Sequence, residues 1–170
     1  TAVFGGINFM QFFANDKAII ERLNINEHKL LQLQQNLLLY YTQSTRDSGL
    51  IIEEQQKNVI QKKEASIEAM HQLKKQAFEM KAIFANGTID AVGSLLDFGF
   101  TYKQKMATNI TNAVIDNLYK TALNAGATGG KISGAGGGGF MFFFCPNNTK
   151  TQVIKALQQI GGNQIGRAHV

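Results

Sequence analysis

Between positions 126 and 139 the chain holds eight glycines, and an unbroken apolar run, Phe140 to Cys145, follows directly. That juxtaposition constrains the fold more than any other feature. Glycine lets backbone N–H groups point into a concavity with no Cβ in the way. Such arcs bind anions. Four consecutive glycines, Gly136 to Gly139, carry a large chain-entropy cost. The cost is intelligible if the loop must meet a ligand or another backbone closely. A glycine-rich strand connection with no ligand is the other reading. The run Phe140–Cys145 has the length and composition of a buried strand and is far too short to span a bilayer.

Two phosphate motifs are tested against this segment. A Walker A loop fails, because Gly130-Lys131 is followed by Ile132 and position 125 is alanine. Gly134-x-Gly136-x-x-Gly139 satisfies the dinucleotide fingerprint on paper. It opens a strand rather than a helix, however, and no acid follows Asp116.

Charge is unevenly distributed. The chain has 17 bases and 12 acids. All the acids lie at or before Asp116, and Lys120, Lys131, Lys150, Lys155 and Arg167 follow with no acid among them. This stretch attracts anions such as phosphates, or is simply a solvated surface. It is too sparsely basic for nucleic-acid binding. The single cysteine, Cys145, excludes an intrachain disulfide, suits a reducing cytoplasm and reads as core packing. His28, His71 and His169 match no metal spacing, and no metal site is expected. Residues 1–20 show no signal-peptide pattern. No membrane partner is expected.

The periodicity predicts a strand over residues 3–13, a turn at Asn15-Asp16 and a return strand from Ala18, hence a hairpin. Asn26 caps a predicted helix from Glu27 to about Asn36, and residues 37–42 read as a buried strand. A long helical region runs from Ser48 to about Phe84, with a possible break near Lys62-Lys63. Its apolar stripe is Ile51, Ile52, Val59, Ile60, Ile67, Met70, Leu73, Ala77 and Phe78. A helix from Ile89 to Phe98 is expected to end at Gly99. Another is expected over residues 105–124, with Ile110, Val114, Leu118 and Ala122 on one face. A last helix covers Thr149 to Ile160, and a final edge strand is possible over 163–170. Helices grouped between strands predict an α+β fold: a ferredoxin-like antiparallel sheet packed with several helices.

The run Lys131-Ile132-Ser133-Gly134-Ala135-Gly136-Gly137-Gly138-Gly139 closely resembles the third signature motif of the galactokinase/homoserine kinase/mevalonate kinase/phosphomevalonate kinase (GHMP) superfamily. Ala125–Gly130 before it and Phe140–Phe144 after it resemble the heptose 7-phosphate kinase branch. Phe4–Phe9, Leu39–Thr42, Ser44–Ser48, and Leu95–Asp97 with Lys103 also resemble that branch, in family order. The resemblance covers nearly all of the chain and implies a C-terminal domain of this superfamily over residues 1–170. Residues 1–23 would be a hairpin at the junction with a missing N-terminal half.

The resemblance further implies transfer of the ATP γ-phosphoryl group to a sugar hydroxyl, with ATP and Mg²⁺ used by the full-length kinase. The family's ATP loop and catalytic aspartate would lie upstream of Thr1. This chain alone is therefore expected to be inactive, to hold no catalytic residue and to bind neither cofactor tightly. The alternative is a stand-alone ligand-binding or protein-interaction module that keeps the fold without the chemistry. Lys131, Ser133, Gly134, Ala135, Gly136, Gly137, Gly138 and Gly139 are expected near the phosphates. Lys131 also fits a solvated strand edge, and Ser133 a turn cap. Substrate-binding candidates are Arg46, which would grip a sugar phosphate or pair with Asp47 or Glu53, and Thr42 and Lys103. Expected partners are a sugar phosphate, the missing N-terminal half and, through an exposed face, a second copy of the chain.

Overall fold

The computed structural model describes residues 4–44, 48–161 and 163–164. The chain opens with a hairpin of β1 (Asn8–Phe12) and β2 (Ala18–Arg22), with Phe12 opposite Ala18. Asp16 turns the chain between them at a φ of 58°. The hairpin rests on α3 (Glu64–Asn86). Phe9 meets Phe78 edge to face at 5.1 Å, and Lys81 lies over the Phe9 ring while bonding Glu21 at 2.6 Å.

α1 (Glu27–Asn36) begins where expected, because the Asn26 side chain accepts the Lys29 N–H at 2.8 Å. β3 (Leu37–Tyr41), α2 (Ser48–Ile60) and α3 follow, and then α4 (Ala91–Lys103), α5 (Ala113–Asn124), β4 (Gly129–Ile132), β5 (Phe140–Phe144), α6 (Lys150–Gln159) and β6 (Asn163–Gln164). The helical region does break at Lys62-Lys63, with Lys62 at a φ of 52°.

The main sheet has four antiparallel strands in the order β4-β5-β3-β6. By sequence these are the second, third, first and fourth strands of a β-α-β-β-α-β chain, which is the ferredoxin-like arrangement with additional helices inserted after the first strand. Alternation along the strands sends Leu38, Tyr40, Met141 and Phe143 into a core with Ile115 and Leu118 of α5 and Val153 and Leu157 of α6. Phe144 points the other way, against Leu33, Phe84 and Val92. Cys145 is buried, and burial pushes its thiol pKa up to about 12.

Three sequence expectations give way. Gly99 does not end α4 but lies within it. A side chain there would run into the Gln76 amide, which reaches past it to the Leu95 carbonyl at 2.6 Å. Residues 105–112 are not helical. The Asn112 side chain accepts from Val114 N and Ile115 N, both at 3.0 Å, and starts α5 there. Val114 is consequently exposed, and Ile115 takes the core position. Finally, α2 and α3 bury Ile51 as expected but otherwise Asn58, Ser66, Ala69, Gln76 and Phe84, while Ile52, Val59, Ile60 and Met70 of the predicted stripe face outward and Phe78 lies against Phe9 of the hairpin.

Candidate functional site: the glycine-rich loop and its two lysines

The loop between β4 and β5 gets its shape from struts on either side. At its base Ser133 N–H donates to the Phe140 carbonyl at 2.8 Å. From β3, Thr42 N–H and its hydroxyl both donate to the Gly139 carbonyl, at 2.8 and 3.0 Å, and Gly139 N–H donates to the Ser44 carbonyl at 2.7 Å. From the segment before α5, the Ile110 carbonyl accepts Gly137 N–H at 2.8 Å and the Asn112 amide donates to the Gly137 carbonyl at 3.2 Å. Gly136 and Gly138 are glycine for steric reasons. A Cβ on Gly136 would sit 2.8 Å from the Ile110 Cα, and one on Gly138 would run into the Ser44 carbonyl.

Those struts engage the N–H groups of Ser133, Gly137 and Gly139. The N–H groups of Gly134, Ala135, Gly136 and Gly138 take no acceptor among the described residues. Gly134 is exposed, Ala135 and Gly138 are half-buried and Gly136 is buried. Unpaired backbone donors gathered in one glycine-rich turn form an anion-receptive surface.

Two cations adjoin that loop. Lys131 is in β4 and half-buried, and burial lowers its pKa. Lys103 ends α4, and its ammonium donates to the Gly134 carbonyl. Its pKa is lowered to about 8, first by burial and second by the charge of Lys131. The two ion pairs among the described residues, Lys75–Glu79 and Lys81–Glu21, involve neither lysine. Asp97, on the same helix as Lys103, is occupied otherwise: the Tyr119 hydroxyl donates to it at 2.5 Å. Burial and Asp97 push the Tyr119 pKa upward, so the phenol stays a donor.

The structure thus brings Lys131, Lys103, Ser133 and the loop glycines together at one end of the sheet. The Ser133 hydroxyl takes no partner among the described residues. Thr42 is buried beneath the loop with its hydroxyl engaged by Gly139, which makes it a support for the loop. Arg46 lies outside the described residues.

Sequence reasoning missed two groups. Tyr119 ties α5 to α4 through Asp97 and Phe100; its place beside Leu118 on the buried side of α5 was the available signal. Glu54, Asn58 and Ser66 anchor the segment before α5. Glu54 accepts from Thr108 N–H and hydroxyl, both at 2.9 Å, and Asn58 and Ser66 each donate to the Met106 carbonyl at 2.9 Å. As polar residues within helices that read as surface, they left no signal. Among the described residues no three His, Cys, Asp or Glu side chains gather to hold a metal ion, and no helix is long and apolar enough to cross a membrane.

A family profile described as "GHMP kinases C terminal" matches residues 64–163. The chain is 37% identical over 161 residues to a D-glycero-alpha-D-manno-heptose 7-phosphate kinase of Campylobacter jejuni, covering 95% of this chain and 47% of that protein. It therefore spans about half the length of this curated relative. A solved D-glycero-D-manno-heptose 1-phosphate kinase from Bacteroides thetaiotaomicron superposes with a TM-score of 0.67 at 27% identity, over 96% of this chain and 42% of that one. The mevalonate kinase of L. major, solved with R-mevalonate, reaches a TM-score of 0.77 over 98% of this chain and 51% of its own; at 13% identity it shows the fold alone. The α+β fold, the glycine-rich loop and the matched profile lead to one conclusion: the chain belongs to the GHMP kinases and carries their C-terminal domain.

Proposed function

We propose that this chain is the substrate-side part of an ATP-dependent sugar-phosphate kinase whose acceptor is a heptose phosphate or a close analogue. The observation that carries the reading is the loop Gly134–Gly139. Its shape is fixed by Thr42, Ser44 and Ile110, and it presents unengaged N–H groups beside Lys103 and Lys131. Phosphoryl transfer depends chiefly on positioning and on stabilising charge, and a rigid loop of donors flanked by lysines serves both needs. The 37% identity to a heptose 7-phosphate kinase supports the acceptor class.

Among the described residues no three His, Cys, Asp or Glu side chains gather, and Asp97, near the loop, accepts the Tyr119 hydroxyl. In this reading ATP and Mg²⁺ are held by an N-terminal half, and this chain contributes orientation and positive charge. Residues 1–170 act as one domain, with the hairpin β1–β2 at the junction between the halves.

The test is complementation. The chain is co-expressed with, or fused to, the part of the Campylobacter jejuni relative that precedes the matched segment, and ATP-dependent labelling of heptose 7-phosphate is measured. Transfer by the joined protein, with kcat/KM falling about 100-fold or more on Lys131→Met, is the expected result. Sugar-phosphate binding with no transfer, while the intact relative is active in the same assay, would favour a ligand-binding module without catalysis.

A further inference from the structure

Asn58 lies in the last turn of α2 and Ser66 in the first turn of α3, on either side of the break at Lys62-Lys63. Both are polar and both are buried, at 6% and 3% exposure. A buried amide or hydroxyl is costly unless it is hydrogen-bonded. Here the two side chains converge on a single acceptor, the Met106 carbonyl, at 2.9 Å each. Glu54, one turn before Asn58 on the same face of α2, accepts from the Thr108 N–H and hydroxyl.

Residues 106–112 form no helix or strand of their own, so outside contacts set their backbone shape. They make a strap, pinned at Met106 and Thr108 by α2 and α3. The same strap clamps the glycine-rich loop at Ile110 and Asn112. Ile110 is wholly buried, its carbonyl takes the Gly137 N–H at 2.8 Å, and its Cα leaves no room for a Cβ on Gly136. Asn112 donates to the Gly137 carbonyl at 3.2 Å and caps α5 with the same side chain. Only Asn109 separates Thr108 from Ile110, so a shift at the pinned end reaches the loop almost undiminished. The loop's other strut, the Ser44 carbonyl on the Gly139 N–H, does not pass through Met106. Neither Asn58 nor Ser66 hydrogen-bonds the loop among the described residues.

We propose that Asn58 and Ser66 are positioning residues for the transfer reaction: by holding the Met106 carbonyl they fix the strap 106–112, and through it the backbone of the loop at Gly136 and Gly137. This deepens the kinase reading above and rests on it only for the catalytic consequence. If the corner between α2 and α3 were all that needed stabilising, an apolar pair would serve at least as well, because buried polar groups gain little net over packing. Two donors aimed at one carbonyl instead specify where that carbonyl sits. Phosphoryl transfer depends on such placement. A misplacement of about 1 Å caused far from the reacting atoms can cost about 100-fold in rate.

The test is amide hydrogen exchange on the isotope-labelled chain with no ligand added. Asn58→Ala and Ser66→Ala should each speed exchange of the Thr108 and Gly137 N–H groups several-fold. The double variant should speed it about tenfold or more, as loss of buried hydrogen bonds does. Gly139, held from Ser44, and Val153, in α6, should change by less than about twofold. Ser66→Thr keeps the hydroxyl and should exchange like the unaltered chain. Acceleration confined to the corner amides of Lys63, Ser66 and Ile67 would reduce the pair to a local brace and overturn the proposal. An equal rise at every amide would overturn it as well.

A measurement on the unaltered chain guards against variants that fail to fold. In urea too dilute to unfold the chain, the Thr108 and Gly137 amides should exchange through one opening with a common dependence on urea, because strap and loop move as a unit. Separate openings at the two amides would overturn the proposal. In the joined protein described above, each alanine substitution should lower kcat about fivefold or more and leave KM within about twofold, as lost positioning does. An unchanged kcat beside accelerated exchange would overturn the catalytic role. A joined protein that never transfers phosphate fails the kinase reading, and exchange alone then decides whether the pair fixes the loop.

Discussion

At Gly138 the loop backbone passes so near the Ser44 carbonyl that even a methyl group has no room. The obstacle is main chain and cannot rotate away. Gly138→Ala is therefore expected to open the loop and to destabilise the chain by about 1–3 kcal/mol, as overpacking does. Urea denaturation checks the stability, and the amide spectrum around Ser44 and Gly137 checks the loop.

Lys103 gives a second expectation at the residue scale. Its folded-state pKa of about 8 lies below the ordinary value of 10.5. Below about pH 8 the amine is charged in both folded and unfolded chains, and the burial penalty is present in full. Between about 8 and 10.5 the folded chain releases the proton while the unfolded chain keeps it, so stability rises with pH across that window. A urea midpoint that climbs from about pH 7.5 to 9.5, and climbs less in Lys103→Met, is the expected result. Cys145 gives a third. Buried, with a pKa pushed up to about 12, it should resist iodoacetamide in the native chain and react once the chain unfolds. The core role of Cys145 and the position of the loop were legible in the sequence, because composition alone specifies each. The hydrogen bond from Lys103 to the loop at Gly134 was not, since it depends on how α4 lies across β4.

That crossing belongs to the element scale. Gly93 in α4 and Gly129 in β4 let the two backbones approach so closely that a Cβ on Gly129 would meet the Gly93 carbonyl. Sequence pattern showed Gly129-Gly130 only as part of a loop, and β4 was missed for that reason. A strand built on Gly-Gly has no alternating side chains to announce it. Its ladder to β5, with Gly129 opposite Phe144 and Ile132 opposite Met141, makes it a strand. The start of α5 was misplaced because the apolar spacing through Ile110 looked continuous. Ile110 is wholly buried, but in the segment ahead of the helix, where its carbonyl holds Gly137. Asn112→Ala removes the cap that sets the boundary and a contact to the loop together, so a loss of about 1–2 kcal/mol is expected, measurable by thermal or urea unfolding. The reversed burial on α2 and α3 has a similar cause. Asn58, Ser66 and Gln76 are drawn inward by the carbonyls of Met106 and Leu95, a requirement that hydrophobic periodicity does not see.

For the whole molecule, the outward-facing apolar residues are the informative feature. Every residue of β2 is exposed, and on the hairpin Phe12 is 78% exposed, with Phe13, Ile19 and Ile20 exposed beside it. Patches of this kind on a folded chain mark a surface that meets protein. The chain by itself is expected to associate in a concentration-dependent way, and Phe12→Ser with Ile20→Ser to reduce that association. Sedimentation velocity across a hundredfold range of concentration decides, and a monodisperse monomer throughout would count against it.

The order of the sheet also bears on how the chain is made. β3 is an all-apolar strand, Leu37–Tyr41, and both of its neighbours, β5 and β6, come from the far end of the chain. During synthesis it waits, with both edges open, until Phe140–Phe144 and then Asn163–Gln164 have left the ribosome. The roughly 100 intervening residues take about 5–20 s at ordinary elongation rates. Throughout that interval the strand is a sticky, two-sided template, and the loop that depends on it cannot close. Yield of this protein should therefore depend on chaperones that shield nascent chains more than its modest size would suggest.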